Sequence, residues 1–262
     1  MTDLPAVLIT GASSGIGAVY AERFARRGHT LVLVARDQAR LQALAARLRE
    51  EHGVAVDVLP ADLSRNADLA TVEARLRDDA RIGILINNAG IAQSGGFTDQ
   101  TAASVDAMVS LNALAVARLA AAIAPRLAAA GTGAIINIGS VVGFAPEFGV
   151  ALYTASKAFV LGLSQGLSHE LGPKGVYVQA VLPAATRTEI WERSGFDITI
   201  LPEVMEADEL VDAALVGFDR REAVTIPPLH VAERWDALET ARHGLLADLR
   251  QANAAERYRR AP

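Results

Sequence analysis

The chain of 262 residues contains no cysteine, which excludes a disulfide framework and a thiolate metal site. Lysine is almost as scarce: of 25 lysines and arginines only Lys157 and Lys174 are lysines. There is no basic excess. The net charge is -5, which disfavours nucleic acid or an anionic membrane as the main partner, since either calls for a basic face. The five histidines show no paired ligand spacing, so no metal site is expected. The opening Met1-Thr-Asp-Leu-Pro5 lacks the basic flank and long apolar core of a signal peptide. No stretch is read as approaching the roughly 20 apolar residues that cross a bilayer. The expectation is a soluble cytoplasmic protein with a small-molecule partner.

What the chain has is apolar residues, 51% of it, in short runs separated by helical patterns. The runs at 6–10, 30–35, 54–59, 82–86, 133–140, 176–182 and 224–226 read as strands. Helical patterns fill 18–27, 37–52, 67–78, 102–129, 151–171, 207–221 and 231–252. Pro125 is expected to kink or end the fourth. This alternation predicts an α/β fold, one doubly wound parallel sheet of about seven strands with helices on both faces. Residues 1–262 read as one nucleotide-binding domain, with 183–206 as a substrate loop and 227–262 as a C-terminal helical extension.

Between the first strand and helix lies Gly11-Ala-Ser13-Ser14-Gly15-Ile16-Gly17. Such a turn aims backbone N–H groups and a helix N-terminus at a pyrophosphate. Three glycines and two serines exceed what a tight turn needs. The second strand should end beside the adenosine ribose. It ends in Ala35-Arg36, where an acidic residue would mark NAD. A guanidinium pairs with a phosphate, and Ser13 can add a hydroxyl, so NADP (NADPH) is favoured over NAD. Asp37 reads as the cap of the next helix.

The run Gly133–Ser140 ends in a serine, and the following loop leads into a helix whose first turn carries Tyr153 and Lys157. Residues four apart share a helix face, so phenol and ammonium are presented together. In a chain that otherwise uses arginine, a lysine there points to a compact charge with a movable pKa.

With the glycine loop, Asn87-Asn88-Ala89-Gly90, Ser140 and Tyr153-x-x-x-Lys157 in order, the chain resembles the short-chain dehydrogenase/reductase family over residues 4–226. The resemblance implies an NAD(P)-dependent oxidoreductase acting on CH–OH or C=O groups. It implies that Asp62-Leu63 meets the adenine and that Asn88, Ala89 and Gly90 line the cofactor. Asn112 matches a fourth catalytic residue, expected to fix a water beside Lys157. Pro183, Thr186 and Thr188 belong to a segment whose threonine meets the nicotinamide carboxamide. Ala184 stands where that segment ordinarily has glycine, which puts its local conformation in question.

On this reading Tyr153 is acid in reduction and base in oxidation, Ser140 holds the substrate oxygen, Lys157 and the positively charged nicotinamide of the oxidised cofactor favour the phenolate, and Lys157 also bonds the ribose and passes protons. Substrate choice is expected from the loop 141–150 and from 185–206, with Phe144, Phe148, Ile190, Trp191 and Phe196 as an apolar wall and Glu147 or Arg187 as polar selectors. Small residues at Ala158, Gly162 and Gly166 predict a homodimer or homotetramer. The alternative is a catalytically weak dinucleotide-binding regulator of the same fold.

Overall fold

The computed structural model describes residues 4–93 and 95–259. The chain divides into two compact units, Met1–Pro228 and Leu229–Pro262. The first holds every strand. Its seven-stranded sheet is built from β1 (Ala6–Thr10), β2 (Leu31–Ala35), β3 (Val56–Pro60), β4 (Ile82–Asn87), β5 (Ala134–Ile138), β6 (Tyr177–Val181) and an edge strand, Val224–Thr225. All pairings are parallel, in the order β3-β2-β1-β4-β5-β6-edge.

Alternation of side chains along each strand feeds two cores. Val7 and Ile9 of β1 and Leu31 and Leu33 of β2 face one, under α1 (Gly15–Arg26) and α2 (Gln38–His52). Leu8, Val32 and Val34 face the other, under α3 (Asn66–Asp78). Both faces are covered, so the strands read as continuous apolar runs rather than alternating ones. The order reverses between β1 and β4, and a ligand crevice belongs at the carboxyl ends of those two strands.

The helix expected over 102–129 is three pieces: α4 (Ala102–Val109), a π-helical stretch at Ser110–Ala115, and α5 (Val116–Ala130). Pro125 neither ends nor divides it; α5 runs on to Ala130 and stops at Gly131, whose φ is +66°. The interruption lies instead around Asn112. The span Ala102–Ala130 is also long and apolar enough to cross a membrane, contrary to the sequence reading. Half of its most apolar window is buried inside the protein, with Leu119, Ile123 and Leu127 in the second core.

Next in the unit is α6 (Ala151–Leu171). Residues 183–206 then leave the sheet and return, closed at the base by β7 (Thr186–Arg187) pairing with β8 (Met205–Glu206). Between these lies α7 (Ile190–Ser194), and after them α8 (Ala207–Asp219) leads to the edge strand, β9 (Val224–Thr225). Among described residues only Arg221 is a non-glycine residue in the left-handed region. Ala184 therefore carries no such strain. The second unit holds α9 (Glu233–Asp248), none of whose residues is buried.

Candidate active site

The glycine loop is stitched to the end of β4 by Thr10. Its hydroxyl donates to the Ile86 carbonyl (3.2 Å) and accepts from the N–H groups of Asn88 (2.9 Å) and Ala89 (3.0 Å). The Asn88 amide in turn donates to the Thr10 carbonyl (2.9 Å). Gly11 has φ +66°, and a Cβ on it would stand 2.8 Å from Asn88 Nδ2. A Cβ on Gly17 would stand 2.3 Å from the Gly11 carbonyl oxygen. Only glycine lets α1 start this close to the strand. Ser14 precedes α1 without capping it by its side chain, which leaves N–H groups of the first turn to face a ligand.

At the other end of the crevice α6 sets Tyr153 and Lys157 beside Ser140. Lys157 is buried and its Nζ donates to the Ile138 carbonyl at 3.0 Å. It lies 5.6 Å from the centroid of the Tyr153 ring. Burial pulls its pKa down to about 8. Burial pushes Tyr153 up to about 12, opposed only by the hydrogen bond with Ser140, so the protein's own groups favour the neutral phenol. Ser140 also donates to the Pro183 carbonyl at 3.2 Å.

Asn112 sits one layer behind. Its amide donates to the Ile91 carbonyl (2.8 Å), and its Oδ1 accepts from the Ile91 N–H (2.9 Å). It reaches Ser156 Oγ at 3.2 Å, and that hydroxyl donates to the Tyr153 carbonyl at 2.8 Å. The side chain is thus committed to protein groups. A Cβ on Gly90 would meet Asn112 Oδ1 at 3.2 Å and Lys157 Nζ at 3.8 Å, so the Asn88–Gly90 turn packs directly on both.

One cavity of 590 Å³ joins the two ends. Gly11, Ser13, Ser14, Gly15, Ile16, Arg36, Asp62, Leu63, Asn88, Ala89, Gly90, Ser140, Tyr153, Lys157, Pro183, Thr186 and Thr188 all line it. Gly17 and Asn112 do not; they support the lining from behind. Among described residues no ion pair is formed by Arg36, whereas Arg40 is held at 2.7 Å by Glu189. Asp37 caps α2, accepting from the Arg40 N–H at 3.0 Å. Burial resists ionisation of Asp62, yet bonds from the Ser64 hydroxyl and N–H and the charge of Arg36 hold its pKa below the usual value.

The apolar wall is partly another one. Ile190 and Trp191 line the cavity with Ile91, Ala92 and Leu111, but no residue of 141–150 does. Phe144 and Phe148 are exposed, and Phe196 faces a second hollow beside α7. Arg187 pairs with Glu206 at 2.7 Å outside the cavity, and Glu147 does not line it either. Ile91, Ala92 and Leu111 were missed because they flank motifs without belonging to them; their place just after Gly90 and just before Asn112 was the available signal.

A sequence model of the short chain dehydrogenase family matches residues 5–197. The chain belongs to the short-chain dehydrogenase family. Like its relatives, this dehydrogenase is an oxidoreductase of the CH–OH/C=O class. A solved short-chain dehydrogenase from Sphingobium yanoikuyae in complex with NADPH is 75% identical, with a TM-score of 0.96 over 98% of this chain and 100% of that one. The bulky-bulky ketone specific alcohol dehydrogenase from Comamonas testosteroni is 65% identical, with a TM-score of 0.92 over 98% of this chain and 99% of that one. The very-long-chain 3-oxoacyl-CoA reductase of Anas platyrhynchos is 34% identical over 196 residues, 72% of this dehydrogenase and 63% of that protein. The chain thus spans under two thirds of the duck enzyme's length.

Proposed function

We propose that this dehydrogenase uses NADP(H) to interconvert a ketone carrying bulky apolar groups and its secondary alcohol, with Tyr153 as acid in reduction and base in oxidation. The observation that carries the reading is the single cavity that brings Ser140, Tyr153 and Lys157 into line with the glycine loop and Arg36. The residues fit the cofactor. The cradle has no room for a Cβ at Gly11 or Gly17, α1 presents N–H groups for the pyrophosphate, and Arg36 is a guanidinium without an ion-pair partner among the described residues, suited to a 2′-phosphate. The NADPH bound by the Sphingobium relative supports the same choice.

When bound, the cofactor supplies or accepts a hydride at C4 of its nicotinamide. The chain's residues handle the charge that this leaves on oxygen. Tyr153, with its pKa near 12, holds its proton at neutral pH. It is nevertheless a stronger acid than an aliphatic alcohol, so proton transfer from phenol to a developing alkoxide runs downhill. Ser140, hydrogen-bonded to the phenol, orients it, and on turning its one proton away from the Pro183 carbonyl it donates to the substrate oxygen. Lys157 uses one N–H on Ile138, leaving two for ribose hydroxyls. Its pKa of about 8 suits it to return a proton toward the phenolate.

Ile91, Ala92, Leu111, Ile190 and Trp191 give the substrate end an apolar lining. This favours substituents without charge, as the bulky-bulky ketone specificity of the Comamonas relative also suggests. Tyr153→Phe tests the reading. Turnover of an aryl alkyl ketone should fall by about 10²- to 10⁴-fold, with NADPH affinity held within about twofold. Near-normal turnover would exclude Tyr153 as the acid.

A further inference from the structure

Asp37, Asp62 and Glu189 line the cavity together with Arg36, and so does Arg193. A dianionic 2′-phosphate arriving at Arg36 would be repelled by the carboxylates. Arg40 stands beside two of them, Asp37 and Glu189. Its Nη1 lies 2.7 Å from both oxygens of Glu189, and its Nε lies 3.4 Å from Asp37 Oδ2. Arg193 adds a contact to Glu189 at 2.5 Å. Arg40 does not itself line the cavity. The same contacts cross the crevice. Arg40 belongs to the first turn of α2, while Glu189 immediately precedes α7, which carries Ile190 and Trp191 of the apolar wall. The neighbouring Thr188 packs on the glycine loop: a Cβ on Gly15 would stand 3.0 Å from its methyl group.

Resting on the NADP reading above, we infer that Arg40 and Glu189 form a clasp that couples recognition of the 2′-phosphate to formation of the substrate wall. Arg40 cancels carboxylate charge where Arg36 receives the phosphate, and by the same contacts holds α7 against the cavity. It is a positioning residue, not one that touches the reacting atoms. Both side chains are about half or one-third exposed, at 49% and 36%. An exposed pair of this kind is weak, which suits a clasp that must open when the cofactor exchanges.

The experiment is a double-mutant cycle on the intact protein, with NADPH and NADH titrated by calorimetry and ketone kinetics measured in parallel. Arg40→Gln should weaken NADPH about fivefold and NADH less than about twofold. Glu189→Gln removes a repelling charge and should leave NADPH binding equal or tighter. Both should raise the KM for butyrophenone more than they lower kcat, because the wall is no longer held. The double variant should recover wild-type NADPH affinity while keeping the raised KM. Equal loss of NADPH and NADH in Arg40→Gln, or a double variant no better than Arg40→Gln, would overturn the clasp. A wild-type protein that binds NADH as well as NADPH would instead overturn the NADP reading, and the clasp with it. Melting curves of each variant separate these outcomes from misfolding.

Discussion

A buried ammonium is costly to keep, and Lys157 is one of the least exposed charged groups in the chain, at 7%. Its folded pKa of about 8 lies below the roughly 10.4 of a solvated lysine. A depressed lysine pKa means that the unfolded chain binds more protons between those two values. Stability from this residue therefore rises as pH climbs from about 8 to about 10.4, and below about 8 its burial cost is carried in full. Lys157→Met removes that dependence. The difference in melting temperature between variant and wild type should thus move in favour of the wild type over this window, by about 2–4 °C for each kcal/mol relieved. A difference that stays flat with pH would show that Lys157 is not held in a desolvated site. On the proposed mechanism this cost is offset by function, since Lys157 binds the ribose and returns a proton toward Tyr153.

Helices as well as residues are set by the site. The π-helical stretch Ser110–Ala115 breaks what the sequence presents as one alanine-rich helix, and Asn112 is its buried polar member. Its amide closes both backbone groups of Ile91 and reaches Ser156, so it fixes the turn after Gly90 against α6. Asn112→Leu would leave the N–H and C=O of Ile91 without their partner. Each such group costs about 1–3 kcal/mol, so chemical denaturation should show a loss of about 3 kcal/mol, with turnover reduced as well. Loss of turnover at unchanged stability would assign Asn112 a purely chemical role. This element also marks where sequence reading stops. Continuous apolar strands and the glycine loop are local signals, and they position the sheet, the switch point and the cofactor end of the cavity. A π stretch has no pattern of its own within alanines, and Pro125 was the louder signal although α5 absorbs it. Ile190 and Trp191 of 183–206 line the cavity as expected, whereas Ile91, Ala92 and Leu111 lie far from that segment in sequence and meet it only through the fold, which no local periodicity encodes. Phe144 and Phe148 were read as wall because aromatics near a catalytic serine are conspicuous in sequence, but their loop turns them outward.

At the scale of the whole molecule the open question is what α6 meets on its outer side. The strip Ala158, Gly162 and Gly166 has two ordinary explanations, tight packing inside the chain or contact with a second copy. A Cβ on Gly162 or Gly166 would find nothing within 4 Å, so neither glycine is required by a neighbour among the described residues. Phe159, on the same helix, is 43% exposed. A face that is both smooth and apolar permits close helix-to-helix approach between copies, and we propose it as the contact of the homodimer or homotetramer expected from the sequence. Gly162→Arg separates the explanations. Arginine is the better helix former by about 1 kcal/mol, and the space is open, so the variant should fold and melt at or above the wild-type temperature. Its charge and bulk would nevertheless block the contact. Light scattering at micromolar concentration should give an assembly for the wild type and a smaller species for Gly162→Arg, with NADPH binding retained by the smaller one. A monomeric wild type would remove the prediction, and an assembly unchanged by the arginine would place the interface on another face.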